Sequence, residues 1–155
     1  MSLVDQTERI VFMLTTAENM LGRSDFCVLA TCSRDLPNSS LMHFLYDTSD
    51  KTIYMLTLRG SVKDDNITAN PQVSLLVDTR MDVQQQGQPV AALTVYGKAR
   101  FVEGAEARRA KITELLDKYP DLAPIAGNDQ CLVMQVQVEK MMMLDGVNDQ
   151  STIYL

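Results

Sequence analysis

The chain has 155 residues, 46% of them hydrophobic and 22% charged, with 14 basic against 20 acidic side chains and a formal charge of −6. That length suits a single domain, 1–155, able to bury a core without a disulfide or metal staple. The acidic balance argues against a broad electrostatic grip on nucleic acid or an anionic membrane surface, and no run approaches the roughly 20 apolar residues of a membrane span. The opening Met1-Ser2-Leu3-Val4-Asp5 lacks the basic and apolar regions of a secretion signal, so a soluble, cytoplasmic protein is expected.

Residues 3–22 carry Ile10, Leu14, Ala17 and Leu21 at helical spacing, with Ser2 or Asp5 as cap and Gly22 as stop. A strand is expected over Phe26–Thr31, followed by turn chemistry at Ser33–Asn38. Ser39 to Tyr46 alternates, with Ser40, Met42, Phe44 and Tyr46 on one face and Ser39, Leu41, His43 and Leu45 on the other. A hairpin loop at Asp47–Lys51 leads into a strand over Thr52–Thr57, and a short helix is expected from Ser61 to Ala69, ended before Pro71. Val73–Val77 reads as a buried strand, and Asp78–Pro89 as a polar connector that could also act as a lid. Val90–Val102 is a long strand with a bend or bulge at Gly97, and Glu106–Tyr119 a helix broken by Pro120 and Pro124. Cys131–Met143 is the last strand, with Leu132, Met134, Val136 and Val138 sharing a face. Short connections join the early strands, so these elements predict a mainly antiparallel sheet of about six strands with flanking helices. Closure into a barrel would remove its exposed edges.

Candidate reactive groups are few. Cys27, Cys32 and Cys131 form neither a disulfide framework nor a metal motif; Cys27 and Cys131 read as small core residues, and Cys32, at the end of an apolar run, as a candidate thiol that lacks a basic sequence neighbour to activate it. His43, the single histidine, reads as a strand residue facing solvent or a subunit contact. Met141-Met142-Met143 points to alternating faces and reads as packing, and Arg108-Arg109-Lys111 among glutamates reads as a solvated helix face. No metal set is expected. The constellation that carries weight is Thr57 to Lys63, where a strand ends and Arg59, Gly60, Ser61 and Lys63 crowd a helix entry. Helix N–H groups, a hydroxyl and two cations are the parts that hold a phosphate, for a ligand lying across Ser39–Phe44 and Leu56–Thr57. The competing reading is a solvated helix cap whose cations offset Asp64 and Asp65.

Certain words of the chain, in their order, resemble a known family. These are Cys27–Thr31, Leu36–Ser40 and Phe44–Asp47, then Ile53-Tyr54 to Thr57 with Gly60-Ser61-x-Lys63 and Asn66. Asn70-Pro71-x-Val73-Ser74-Leu75-Leu76 and Val95-Tyr96-Gly97-Lys98-Ala99 complete the set, over about residues 25–102. Together they are similar to the pyridoxamine 5′-phosphate oxidase-like, FMN-binding split-barrel proteins. The resemblance implies a six-stranded antiparallel split β-barrel with N-terminal and peripheral helices, dimerising with FMN in grooves between subunits. By position, Ser39, Ser40, Leu41 and Met42 would run beside the flavin, Leu56 and Thr57 would lie near ring or phosphate, and Ser61 and Lys63 would hold the phosphate. The protein would position and tune a flavin that carries the redox chemistry, with no side chain required as a catalytic acid or base.

The chain also departs from the oxidase pattern, having Ser39 and Val62 where the oxidase has Arg, and Ala92 where it has Gln. Lysine cannot reproduce a guanidinium's bidentate phosphate contacts, although Arg59 could replace one of them. The oxidase's C-terminal substrate-binding segment has no counterpart in the final residues to Leu155. The expectation is therefore a homodimeric FMN-dependent oxidoreductase of a small molecule, other than pyridoxamine 5′-phosphate oxidase itself. The alternatives are a haem- or deazaflavin-binding relative, with His43 as the available haem ligand, or a cofactor-free dimeric interaction protein.

Overall fold

The computed structural model describes residues 3–81, 87, 89–146 and 149–155; Ser2 and most of the glutamine-rich part of the expected connector lie outside them. Helix α1 runs Leu3–Arg23, with Asp5 in its first turn and not at its cap. Strands β1 (Phe26–Ser33) and β2 (Leu36–His43) form a hairpin closed by Arg34 and Asp35, both at positive φ. Two consecutive residues of positive φ make the tight turn whose twist matches paired strands. The expected six-residue turn is thus only two residues long, and Pro37 sits within β2, at the end of the strand order, where its missing N–H is tolerated.

The expected strand Ser39–Tyr46 is broken at Phe44. Its continuation, β3 (Leu45–Asp47), pairs with β4 (Thr52–Leu58), while β2 pairs with β1. Helix α2 (Val62–Ala69) leads to β5 (Gln72–Asp78), and β6 (Ala91–Phe101) to helix α3 (Ala105–Lys118). Pro120–Leu122 forms a 3-10 turn and Ala123–Ala126 a one-turn helix, α4. The chain ends with β7 (Cys131–Asp145) and β8 (Asp149–Tyr154). All the strand pairs are antiparallel, in the order β2-β1-β5-β6-β7-β4-β3, with β8 on β7 beyond β4. The two ends of that order, β2 and β3, are consecutive in the chain, so the sheet curls into a split barrel.

Eight strands stand where about six are expected. One comes from the break at Phe44 and the other from β8, whose polar sequence Asp149-Gln150-Ser151-Thr152 shows no apolar run and is ordered by pairing with Lys140–Asp145. Alternation decides the inside of the curl. Leu29, Phe44, Ile53, Met55, Leu75, Leu93, Met134 and Met141 are fully buried there, with Ala17 and Leu21 of α1 packed onto the same cluster. Strand β4 is buried on both faces. Its outward Tyr54 and Leu56, with Val133 of β7, lie under Leu115, Tyr119 and Leu122. That second cluster docks α3 and the Pro120–Leu122 turn against the outside of the barrel.

Lys111 belongs to this docking and not to a solvated face: it bonds Asp47 at 3.3 Å and Glu114 at 3.2 Å, and its Nζ lies 4.4 Å from the Tyr54 ring centre. Hydrogen bonds from Ser49, then from Lys111, hold the Asp47 carboxyl below the usual range. Arg108 and Arg109 are exposed, as expected. Burial pushes the Cys27 thiol up to about 12, which makes it a core residue in chemistry as well as position. Cys131 is half-buried against the outer cluster, and Cys32 is half-buried.

The bulge expected at Gly97 is present: the β6–β7 register shifts between Tyr96 and Gly97, and a Cβ there would collide with the carbonyl oxygen of Gln137. Glycine lets the long strands approach where the sheet bends. Gly97→Ala is expected to destabilise the fold by about 1–3 kcal/mol, read as a lowered urea midpoint; an unchanged midpoint would show that the bulge relaxes freely.

Candidate functional site

The end of β4 and the start of α2 are built by local chemistry. Ser61 is the N-cap of α2, its hydroxyl accepting from the Asp64 N–H at 3.3 Å, while the Asp64 carboxylate turns back to accept from the Gly60 N–H at 2.8 Å. This reciprocal arrangement resembles a capping box, with Asp in place of Glu at the third helical position. Gly60 takes φ +75°, which lets the chain reverse between strand and helix. The Ser61 hydroxyl also lies 3.2 Å from Thr57 Oγ1. Asp64 is buried and committed to the turn, so it does not neutralise the neighbouring cation. Among the described residues, Lys63 has no carboxylate within ion-pair distance, and its half-buried side chain lines a groove. The helix cap is therefore made by Ser61, Gly60 and Asp64, without the cations expected to offset Asp64.

The groove has a volume of about 360 Å³, within the range of small-molecule sites. Its base and one wall are Leu56, Thr57 and Leu58 at the end of β4; Ser61 and Lys63 stand at one end. Leu41, Met42 and His43 of β2, Phe26, and Leu122 and Ile125 of the Pro120–Ala126 segment complete its lining. Six of the nine expected residues meet here: Leu41, Met42, Leu56, Thr57, Ser61 and Lys63. Ser39 and Ser40 lie farther along β2, where the Ser40 hydroxyl accepts from the Asn38 amide. Arg59 is exposed, its backbone N–H donating to the Gln130 carbonyl, and its side chain does not line the groove. At the two other departures, Val62 is 59% exposed and Ala92 lies on β6, paired with Asp78 and Leu144.

His43 departs most from expectation. Its side chain is 13% exposed, stacked between Phe26 (ring centres 4.1 Å apart) and Tyr119 (4.2 Å). Nδ1 is 3.0 Å from the Asp25 carbonyl oxygen, and Nε2 is 3.0 Å from Asp121 Oδ2. The Tyr119 hydroxyl donates to the Phe44 carbonyl at 2.8 Å, and burial, reinforced by Asp25, Cys27 and Asp121, holds that phenol well above its ordinary range. Sequence reasoning missed Phe26, Leu58, Leu122 and Ile125 as groove residues. For Leu122 and Ile125 no short-range signal exists, because they come from a segment that reads only as a proline-broken helix end.

A larger depression, about 1090 Å³, lies between the end of α1 and the outer face of β1 and β5, sharing Phe26 and Leu41 with the groove. It is the open flank of an apolar sheet surface, rimmed by Arg23, Asp25, Asp78 and Arg80. The smaller groove is the better candidate site, because a free cation, hydroxyls and a helix start converge there. Among the described residues no helix is long and apolar enough to cross a membrane, and no three His, Cys, Asp or Glu side chains come together as a metal set.

Fold and groove together define a split-barrel protein whose groove ends beside Lys63 and the start of α2. Residues 13–142 match the family model described as pyridoxamine 5′-phosphate oxidase, and the chain belongs to that family. It is 38% identical over 80 residues to a pyridoxamine 5′-phosphate oxidase homolog of Schizosaccharomyces pombe, a match covering 46% of this chain and 42% of that protein. The chain thus spans less than half the length of that curated relative. Among solved structures it is similar to a putative pyridoxamine 5′-phosphate oxidase from Listeria innocua (TM-score 0.67, 20% identity, 85% of this chain and 98% of that one). It is also similar to HutZ, the heme storage protein from Vibrio cholerae (TM-score 0.68, 18% identity, 84% and 92%). These two likenesses show the fold alone.

Ser61→Ala removes the cap of an eight-residue helix and is expected to destabilise the protein by about 1 kcal/mol, measured by denaturant unfolding. No change in stability would mean that the Asp64–Gly60 bond caps the turn unaided.

Proposed function

We propose that this chain binds FMN in the groove between β2 and β4 and acts as an FMN-dependent oxidoreductase on a small molecule. The observation that carries the reading is Lys63: a half-buried residue whose ammonium is unpaired among the described residues, at the groove end where the first turn of α2 begins. The N–H groups of Val62 and Lys63, first in the helix, have no acceptor within it and add to the attraction for a phosphate. Ser61 and Thr57 already bond each other, so their hydroxyls would shape the phosphate end, while Lys63 supplies the charge. Leu41, Met42 and Leu56 give an apolar wall against which a flavin ring can exclude water. FMN, when bound, supplies the hydride and electron transfer; the chain's part is to hold and orient it.

The absence of guanidiniums at Ser39 and Val62 separates this site from that of the oxidase proper, so oxidation of pyridoxamine phosphate is not proposed. Haem is the other cofactor suggested by similar proteins. Ligation by His43 through Nδ1 or Nε2 would displace one of the ring's two hydrogen-bonding partners, which counts against it.

A homodimer belongs to the same proposal. Leu41, Val28 and Leu76 are direct cross-strand neighbours on the outward face of β2, β1 and β5, with Leu41 70% and Leu76 38% exposed. This row continues the apolar wall of the groove, and its rim carries both signs of charge, which suits a second copy of an acidic chain. Covering the row would bring the partner against the groove.

FMN added to the purified protein should remain at one per subunit after gel filtration, with Lys63→Ala weakening affinity at least tenfold, as loss of a charged contact of roughly 1.5–3 kcal/mol requires. Failure to hold FMN, or equal affinity in the variant, would overturn the site. Light scattering should give twice the chain mass, and Leu76→Asp the single mass; a variant that stays dimeric would place the interface elsewhere.

A further inference from the structure

Helix α1 is only half covered by the body it packs on. Its stripe of Ile10, Leu14, Ala17 and Leu21 is fully buried at Ala17 and Leu21, half-buried at Leu14 and 53% exposed at Ile10. The carboxyl half is fixed to the barrel, where Glu18 accepts hydrogen bonds from Tyr46 and Lys51. Residues 4–12 are all exposed, so among the described residues nothing of this chain covers the amino half. Val4 and Val11, seven residues apart, share a line along the helix beside Ile10, at 67% and 58% exposure. A helix takes most of its stability from packing an apolar face, and this end has the face without the packing.

The other end of the same helix borders a surface of matching kind. The depression of about 1090 Å³ takes in Met20 and Arg23 of α1 and is lined beyond them by Phe26, Val28, Leu41 and Leu76. We propose that the amino half of α1 seats in this depression on a second copy of the chain, each helix serving as an arm for the other. A two-fold axis crossing α1 near its middle sets the two helices antiparallel. The amino end of each then meets the carboxyl end of the other, where the depression begins. In such a self-complementary contact each copy gives one arm and receives one, and both apolar surfaces are covered together.

Size and charge both favour this occupant. A stable protein interface engages roughly 20–30 residues a side. The 13 residues lining the depression fall short of that alone, and the nine exposed residues of the arm bring each copy's share into the range. Asp5 stands in the first turn of α1 and Arg23 in the last. Antiparallel docking therefore brings each aspartate to the arginine end of the other helix, whereas parallel docking would set like charges together. The chain as a whole is acidic, at −6, so two copies repel at a distance and need such local complementarity to stay together.

The arm rests on the homodimer proposed above and not on FMN. Val4→Glu combined with Val11→Glu replaces two exposed side chains by a better helix former, so the melting of the isolated subunit should not fall. The dimer dissociation constant, read by sedimentation equilibrium, should rise at least about a hundredfold. Hydrogen–deuterium exchange gives a second readout on the unmodified chain. Residues 4–12 should exchange several-fold faster once wild type is diluted below its dissociation constant, and as fast in Leu76→Asp, with the β6–β7 ladder unchanged as control. A double variant that dimerises like wild type, or arm exchange equal in dimer and monomer, would overturn the arm and leave the Leu41–Val28–Leu76 row as the interface. A wild-type chain that stays monomeric up to millimolar concentration would overturn arm and homodimer together.

Discussion

The carbonyl of Phe44 lies between two strands and belongs to neither, and it accepts a hydrogen bond from the Tyr119 hydroxyl at 2.8 Å. Much of the architecture depends on that contact. The chain must leave the β1 ladder after His43 and enter the β4 ladder at Leu45, and a residue between two ladders has a polar backbone to satisfy away from water. Phe44 meets the demand by burying its ring in the barrel core while its carbonyl points outward to a phenol on α3's C-cap. The break curls the sheet, the curl brings β2 opposite the end of β4, and the groove lies between them. The same phenol stacks on His43, so barrel closure and groove wall share one aromatic contact.

The groove end shows how a turn can be closed by its own residues and still leave a cation over. In the Thr57–Lys63 stretch, Ser61, Asp64 and Gly60 satisfy one another, which holds the turn rigid without a ligand. The ammonium of Lys63 is left over, carried on a helix whose start is fixed by that cap. A binding group of this kind loses little entropy on meeting an anion, because the backbone that presents it is already ordered. Membership of the pyridoxamine 5′-phosphate oxidase family and the altered positions Ser39, Val62 and Ala92 are compatible on this view. Lys63 stands at the helix start, while positions 39 and 62 carry serine and valine in place of arginine.

Much of this was legible in order of sequence distance. The core strands and α1, α2 and α3 follow from period and from cap and breaker residues, and Gly97 announced its bulge, because each signal lies within a few positions of its effect. The two-residue turn at Arg34–Asp35 was obscured by its neighbours, since Ser33, Pro37 and Asn38 all read as turn formers yet lie in paired strands. Lys111 read as solvated because its sequence neighbours are charged; its partners Asp47 and Tyr54 lie more than fifty residues away.

What the sequence determined by itself is the alternation that makes a barrel and the local cap formed by Gly60, Ser61 and Asp64, since both arise from contacts between near neighbours. The tertiary structure alone decided that Leu122 and Ile125 line the groove, the course of β8, and the setting of His43. That histidine reads as a solvent-facing strand residue by alternation, and the face is outward as expected. The outward face is covered, however, by a turn 78 residues further on, which supplies the carboxylate that meets the ring. No periodicity within a strand records which element will pack against its outer face, because that choice depends on the closure of the whole sheet.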